Sequence, residues 1–150
     1  MRNRVDHSAM VRLFEEIRQA FPHLAMDLDH EPAQVDLEMN IRQQAGLDFD
    51  VSLNLQGDEL HLSAGAFWLS WFPCTRPEIV EAYRDAVHGL LGGAYRIREH
   101  SRGGRVFRAE LQRLQTGEWQ TIGTSHGWAW PFPRGAVVTV LQNGSGGSRR

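Results

Sequence analysis

Residues 33–55 read AQVDLEMNIRQQAGLDFDVSLNL. Val35, Leu37, Met39 and Ile41 alternate with Asp36, Glu38, Asn40 and Arg42. Leu47, Phe49, Val51, Leu53 and Leu55 then alternate with Asp48, Asp50, Ser52 and Asn54. A period of two marks a strand with one apolar and one wet face, so this stretch predicts two antiparallel strands. Keeping both apolar faces on one side requires paired residue numbers to sum to an even value. That points to a three-residue loop of Gln44, Ala45 and Gly46, with Gly46 at positive φ and Arg42 facing Asp48.

On the N-terminal side the period changes. Met10, Leu13, Phe14, Ile17 and Phe21 recur at three- and four-residue steps, which predicts an amphipathic helix from Ser8 to Phe21, capped by Asp6 or Ser8 and ended by Pro22. The acidic stretch Leu24 to Pro32 reads as a connection. On the C-terminal side Leu60, Leu62, Ala64, Ala66 and Trp68 continue the sheet with His61 and Ser63 on its wet side, and Ala66 to Phe72 is apolar on both faces. Thr75, Arg76, Pro77 and Glu78 fit a capping box, with Thr75 as the cap of a helix that runs through Leu91 and stops at Gly92-Gly93.

Three further strands are expected at Ala94 to Ser101, Arg105 to Gln115 and Glu118 to Ser125. Pairing Tyr95 and Ile97 with Leu111 and Ala109 favours a three-residue loop ending in Gly104, again at positive φ, and sets Arg98 opposite Arg108. The register of the hairpin over 105–125 stays open. A short strand from Ala136 to Leu141 closes the domain, 1–142, and a Gly/Ser/Arg tail over 143–150 is expected to be disordered. The order α-βββ-α-βββ-β predicts a single α+β domain. Its sheet is mainly antiparallel and twisted, of six to seven strands, with two helices packed on one face. This element order resembles that of type III secretion chaperones and some toxin-immunity proteins, a likeness of order without a shared motif, and it implies a small partner-binding protein.

Composition supports one domain. A chain of 150 residues, 41% hydrophobic, buries enough surface for a core without staples. A lone Cys74 makes no internal disulfide. No apolar run approaches the roughly 20 residues that cross a bilayer, and Met1 to Met10 lacks a signal-peptide core, so a cytoplasmic protein without membrane contact is expected. All 16 basic residues are Arg, which excludes lysine chemistry and points to a GC-rich bacterial source. The formal charge of -2 argues against a dedicated nucleic-acid binder. The charge is divided along the chain: residues 1–75 hold five Arg against twelve acids, and residues 76–150 hold eleven Arg against six acids.

Cys74 is the candidate reactive thiol because it precedes a helix N-terminus beside Arg76, although a lone Cys with no local histidine or acid is more often inert packing. Asp27, Asp29, His30 and Glu31 form the densest ligand cluster, yet none of the seven histidines has a metal-binding spacing, and no metal or cofactor is expected. Gly89 to Gly93 ends a helix instead of opening one, which excludes a phosphate loop. Thr124, Ser125, His126 and Gly127 lack the acid and oxyanion donors of a hydrolytic site.

The arginine-rich hairpin offers the clearest partner-binding residues, Arg96, Arg98 and Arg108, with Arg102, Arg105 and Arg113 around them. Its plainer explanation is an internal match to Asp36, Glu38, Asp48 and Asp50. Trp128, Trp130 and Phe132 form a candidate aromatic anchor, or else close a core edge. No catalytic constellation is present. The sequence therefore reads as a non-catalytic bacterial domain that binds another protein, or itself as a homodimer, through a charged sheet face and an aromatic edge. The alternative is a small enzyme or ligand-binding protein with a pocket lined by Trp68, Trp71 and Trp119 and served by Cys74 or a histidine.

Overall fold

The computed structural model describes residues 4–126 and 135–144. Helix α1, His7–Ala20, buries Met10, Leu13, Phe14 and Ile17, the positions its periodicity selects, and the Asp6 carboxylate caps it by accepting from Ala9 N at 3.1 Å. An antiparallel five-stranded sheet follows in chain order: β1 Asp27–Asp29, β2 Leu37–Ile41, β3 Val51–Gln56, β4 Glu59–Ala64 and β5 Phe67–Trp71. Helix α2, Pro77–Gly92, leads to β6 Tyr95–Arg102, β7 Arg105–Gln115, β8 Glu118–His126 and β9 Val137–Leu141. These form a second antiparallel sheet in the order β8-β7-β6-β9. The fold is α+β as expected, with nine strands in two sheets among the described residues where one sheet of six to seven was expected.

Alternation builds the first sheet. Ile41, Val51, Ala64 and Phe67 stand side by side across β2 to β5, as do Met39, Leu53, Leu62 and Leu69. These rows and the apolar faces of both helices belong to one buried cluster, which Ile97, Ala109 and Leu111 of the second sheet also join. Fully burying a side chain of this size contributes roughly 1.5–3 kcal/mol, so the shared cluster ties the two sheets into one unit. Tyr83 of α2 is fully buried and donates its hydroxyl to the His61 carbonyl at 2.8 Å, which docks the helix on β4. Gly123 sets how closely the sheets approach, because a Cβ there would lie 2.5 Å from Leu69 Cδ2 on β5.

Several local expectations are corrected. The β2–β3 pairing keeps the even sum but shifts by one step: Leu37 faces Leu55 and Ile41 faces Val51, so Arg42 does not face Asp48. The chain over 42–50 is a wide loop with a single bridge between Gln44 and Leu47, and Leu47 and Phe49 are buried from that loop. Gly46 has the expected positive φ, +93°. The acidic connection contains strand β1, and Leu60 to Phe72 is divided into β4 and β5 by a turn at Gly65-Ala66.

Thr75 does not cap α2. The cap position is Arg76, with Pro77 as first helical residue, and no side chain caps the start. Arg76 instead pairs with Glu78 at 2.9 Å, which takes the carboxylate the capping box needed. The β6–β7 connection is a two-residue turn of Gly103 and Gly104, both at positive φ, and not a three-residue loop. A bulge between His100 and Ser101 restores the even sum that the loop was expected to supply, giving Ile97 opposite Leu111. The open register of the last hairpin is settled by a Thr116-Gly117 turn with a second bulge between Leu111 and Gln112.

The first residues of the expected tail belong to the fold. Asn143 accepts from Asp48 N at 3.0 Å and donates to the carbonyls of Gly46 and Leu91, each at 2.7 Å. Gly144 N donates to the Asp48 carboxylate at 2.9 Å. Residues 145–150 lie outside the described residues. Asn143→Ala removes three hydrogen bonds that tie the C-terminal end to the 42–50 loop and to α2, and at about 0.5–1.5 kcal/mol for each net bond it should cost roughly 1.5–4.5 kcal/mol in urea denaturation. A loss below a few tenths of a kcal/mol would remove Asn143 from the fold.

Candidate functional site

The outward face of the second sheet follows from strand alternation. With Ile97, Ala109 and Leu111 turned to the core, Arg96, Arg98 and His100 on β6 and Arg108, Glu110 and Gln112 on β7 project to the other side. The structure thus brings Arg96, Arg98 and Arg108 together on one face. It corrects their pairing: Arg98 lies opposite Glu110, and Arg108 opposite His100, because the bulge after His100 displaces the register by one step.

A directional hydrogen-bond chain runs across this face. Arg96 Nε donates to Gln112 Oε1 at 2.9 Å, Gln112 Nε2 to Thr121 Oγ1 at 3.2 Å, and Thr121 to Glu110 Oε2 at 3.0 Å. His100 Nε2 closes it on Glu110 Oε1 at 2.5 Å, and an Arg108 guanidinium nitrogen stands 3.6 Å from Glu110 Oε2. Glu110 is only 8% exposed. Burial alone would raise its pKa, but the bonds from His100 and Thr121 and the charge of Arg108 outweigh it and hold the carboxyl below its usual range. Arg96 lies over the Trp119 ring with its guanidinium carbon 4.1 Å from the centroid. Burial, and then the adjacent Arg98 charge, lower its pKa.

Among the described residues no ion pair joins Arg96, Arg98 or Arg108 to Asp36, Glu38, Asp48 or Asp50, the internal match that stood as the alternative to an external partner. Asp36, Asp48 and Asp50 accept from backbone amides of Gly57, Gly144 and Gln43, and Glu38 stands opposite Asp29 across β1–β2. The arginines of the helices take other acids: Arg18 pairs with Glu15 at 2.6 Å, and Arg84 pairs with Glu81 and Glu16. Glu99 faces the core side and accepts from Ala66 N at 2.6 Å. Among the described residues, ion pairs bring one acid to the arginine face, Glu110. Residues 1–3, 127–134 and 145–150 contain no Asp or Glu. Arg98 makes no ion pair among the described residues, and its buried Nε has no hydrogen-bond partner.

The other candidates separate. Trp128, Trp130 and Phe132 lie outside the described residues, as does Gly127. Trp68 is half exposed beside His61, Trp71 packs on Tyr83 with centroids 5.4 Å apart, and Trp119 serves Arg96, so the three tryptophans do not line one pocket. Ser125 Oγ accepts from Trp68 N at 3.4 Å, a link between the sheets. Asp27 and Asp29 sit on β1, Asp29 accepts from Glu31 N, and no group of three or more metal-ligating side chains occurs among the described residues. An open cleft of about 430 Å³ on the outward side of β2–β4 is lined by Asn40, Ser52 and Ser63, with Arg42 and Asp50 as its charged groups. Sequence reasoning missed His100, Glu110, Gln112 and Thr121. The alternation of Arg96, Arg98 and His100 and of Arg108, Glu110 and Gln112 was the available signal.

Cys74 is buried near the start of α2, with its amide bonded to the Asp58 carbonyl at 2.8 Å. Burial, and then the Asp58 charge, raise the thiol pKa above its ordinary value, the reverse of an activated nucleophile. No helix of the described residues is long and apolar enough to cross a membrane. Comparison with protein-family models, with curated proteins and with solved structures finds no match to this chain.

Two outcomes follow. Iodoacetamide should label Cys74 slowly in the native protein at pH 7 and fully once the chain is unfolded, and rapid native labelling would contradict a buried, protonated thiol. His61, 4% exposed beside Trp68, has a lowered pKa because burial outweighs the attraction of Glu59. The unfolded chain therefore takes up the proton first, and stability should fall as pH drops through the usual imidazole value of about 6.5. Urea denaturation at pH 7 and pH 5 should show a smaller loss in His61→Gln than in the wild type, and equal losses would contradict the assignment.

Proposed function

We propose that this chain is a non-catalytic protein-binding domain that takes an acidic segment of another protein on the outward face of β6 and β7. The observation that carries the reading is Arg98, which makes no ion pair among the described residues and lies on one face with Arg96 and the Arg108–Glu110 pair, while Asp36, Asp48 and Asp50 accept from backbone amides. Arginine suits such a surface because its planar fork meets a carboxylate with two parallel hydrogen bonds. The hydrogen-bond chain through Gln112, Thr121 and Glu110 fixes the side chains around Arg98, so little entropy is lost when an acid arrives. The all-arginine basic set and the single unpaired Cys74 support a bacterial cytoplasmic setting.

A small enzyme draws less support, because the Cys74 thiol is held protonated and the three tryptophans face different surroundings. Nucleic acid is the other source of negative charge, and a net charge of -2 supports the acidic protein over it.

Fluorescence anisotropy of a labelled polyglutamate peptide and of a labelled oligouridine of equal charge tests the proposal. The peptide should bind more tightly, with an affinity that falls as salt rises. Arg98→Gln should weaken it by roughly ten-fold, about 1.4 kcal/mol, and leave the melting temperature near wild type. Unchanged peptide binding in that variant would overturn the reading, and a preference for the oligouridine would move the partner to nucleic acid.

A further inference from the structure

A strand at the edge of a sheet presents a row of unpaired backbone groups, and such a row templates pairing unless it is short, charged, bulged or covered. Among the described residues the two sheets have four edges, β1, β5, β8 and β9. Three are blunted. β1 is three residues long and carries Asp27 and Asp29, while β5 and β8 lie against each other through the Trp68–Ser125 bond and the Gly123–Leu69 approach. The fourth edge, β9, reads Val137-Val138-Thr139-Val140-Leu141 and has no charge, no glycine and no proline. Val137, Val138 and Val140 are 59%, 46% and 41% exposed. The strand is held in place on its other side by five residue pairs with β6, and the bonds of Asn143 and Gly144 anchor the chain just beyond it.

We propose that β9 pairs antiparallel with β9 of a second copy of this chain, about a two-fold axis at Thr139, to make one continuous eight-stranded sheet. The strand is self-complementary in that register. Val138 of one copy stands opposite Val140 of the other, and Val137 opposite Leu141, so apolar meets apolar throughout and the same patch serves both copies. Electrostatics does not oppose the pairing. On the outward face the nearest arginine to β9 is Arg98, opposite Val140 on β6. Across the joined sheet the two Arg98 rows are three strand spacings apart, roughly 14 Å, beyond the Debye length of about 8 Å at physiological salt. An acidic strand in the same place would find no charge on β9 itself, which favours a second copy over the acidic partner. The dimer sets two arginine faces side by side, but it does not depend on what those faces bind.

The test is sedimentation equilibrium of the full chain over a concentration series, with circular dichroism as the check on folding. The wild type should reach twice the chain mass of 17.0 kDa. Val138→Lys with Val140→Lys places like charges opposite each other across the axis, and should raise the dimer dissociation constant by roughly ten-fold or more while the fold is kept. Val138→Lys with Val140→Glu places opposite charges across the same axis and should restore most of the association. A wild type that stays monomeric, a dimer untouched by the two lysines, or a failure of the opposite-charge pair to recover would each overturn the proposal. If the lysine variant unfolds, hydrogen exchange of the wild type decides. Protection of the β9 amides that rises with protein concentration supports the dimer, and protection independent of concentration overturns it. Protection of these amides by an added acidic peptide in a chain that remains monomeric would assign the edge to the partner instead.

Discussion

Strands β2 to β5 must keep an apolar row on the core side of their sheet, and the rows Ile41-Val51-Ala64-Phe67 and Met39-Leu53-Leu62-Leu69 are where that constraint is met. A slip of one residue in any pairing would turn a whole strand inside out, at a cost of several buried side chains of roughly 1.5–3 kcal/mol each. The helices, the second sheet and the 42–50 loop all pack against those rows. The second sheet meets the same demand by a different device. Its two tight turns give pairings of odd sum, and a bulge in each hairpin corrects them before the core residues Ile97, Ala109 and Leu111 are reached.

The same alternation divides the charge. In the first half, carboxylates cap loops and helix starts: Asp6, Asp29, Asp36, Asp48 and Asp50 each hold a backbone amide. In the second half, long guanidinium side chains project from strands, where the backbone groups are already paired and offer them little. The result is a separation of roles in addition to a separation of sign. Glu110 is the exception, an acid placed among arginines and covered by His100, Thr121 and Arg108. It orders the face without neutralising it.

How much of this was legible in the sequence depends on the range of the interaction involved. Period and turn chemistry are local, so both helices, the strands of the second sheet and the positive φ of Gly46 and Gly104 could be read directly. Strand β1 could not, because Asp27-Leu28-Asp29 is too short to show a period. Nor could the failure of Thr75 as a cap, which turns on whether Glu78 reaches back or pairs with Arg76. The shared face of Arg96, Arg98 and Arg108 followed from parity alone. Their neighbours did not, since parity is satisfied equally by a longer loop and by a bulge, and the bulge exchanges Arg108 for Glu110 opposite Arg98. The His100–Glu110 bond is visible only once that choice is made.

If the outward face of β6 and β7 takes acid as proposed, Arg98 is its open position, because among the described residues Glu110 pairs with His100 and Arg108 and no ion pair reaches Arg98. Arginine side-chain Nε–Hε resonances, followed by heteronuclear NMR while the full chain is titrated with polyglutamate, test it most directly. The account predicts that the Arg98 signal moves first and furthest, with Arg96 and Arg108 following, while Arg18 and Arg84, already held by Glu15, Glu16 and Glu81, stay in place. Uniform small shifts across all arginines, or shifts confined to the helices, would contradict it.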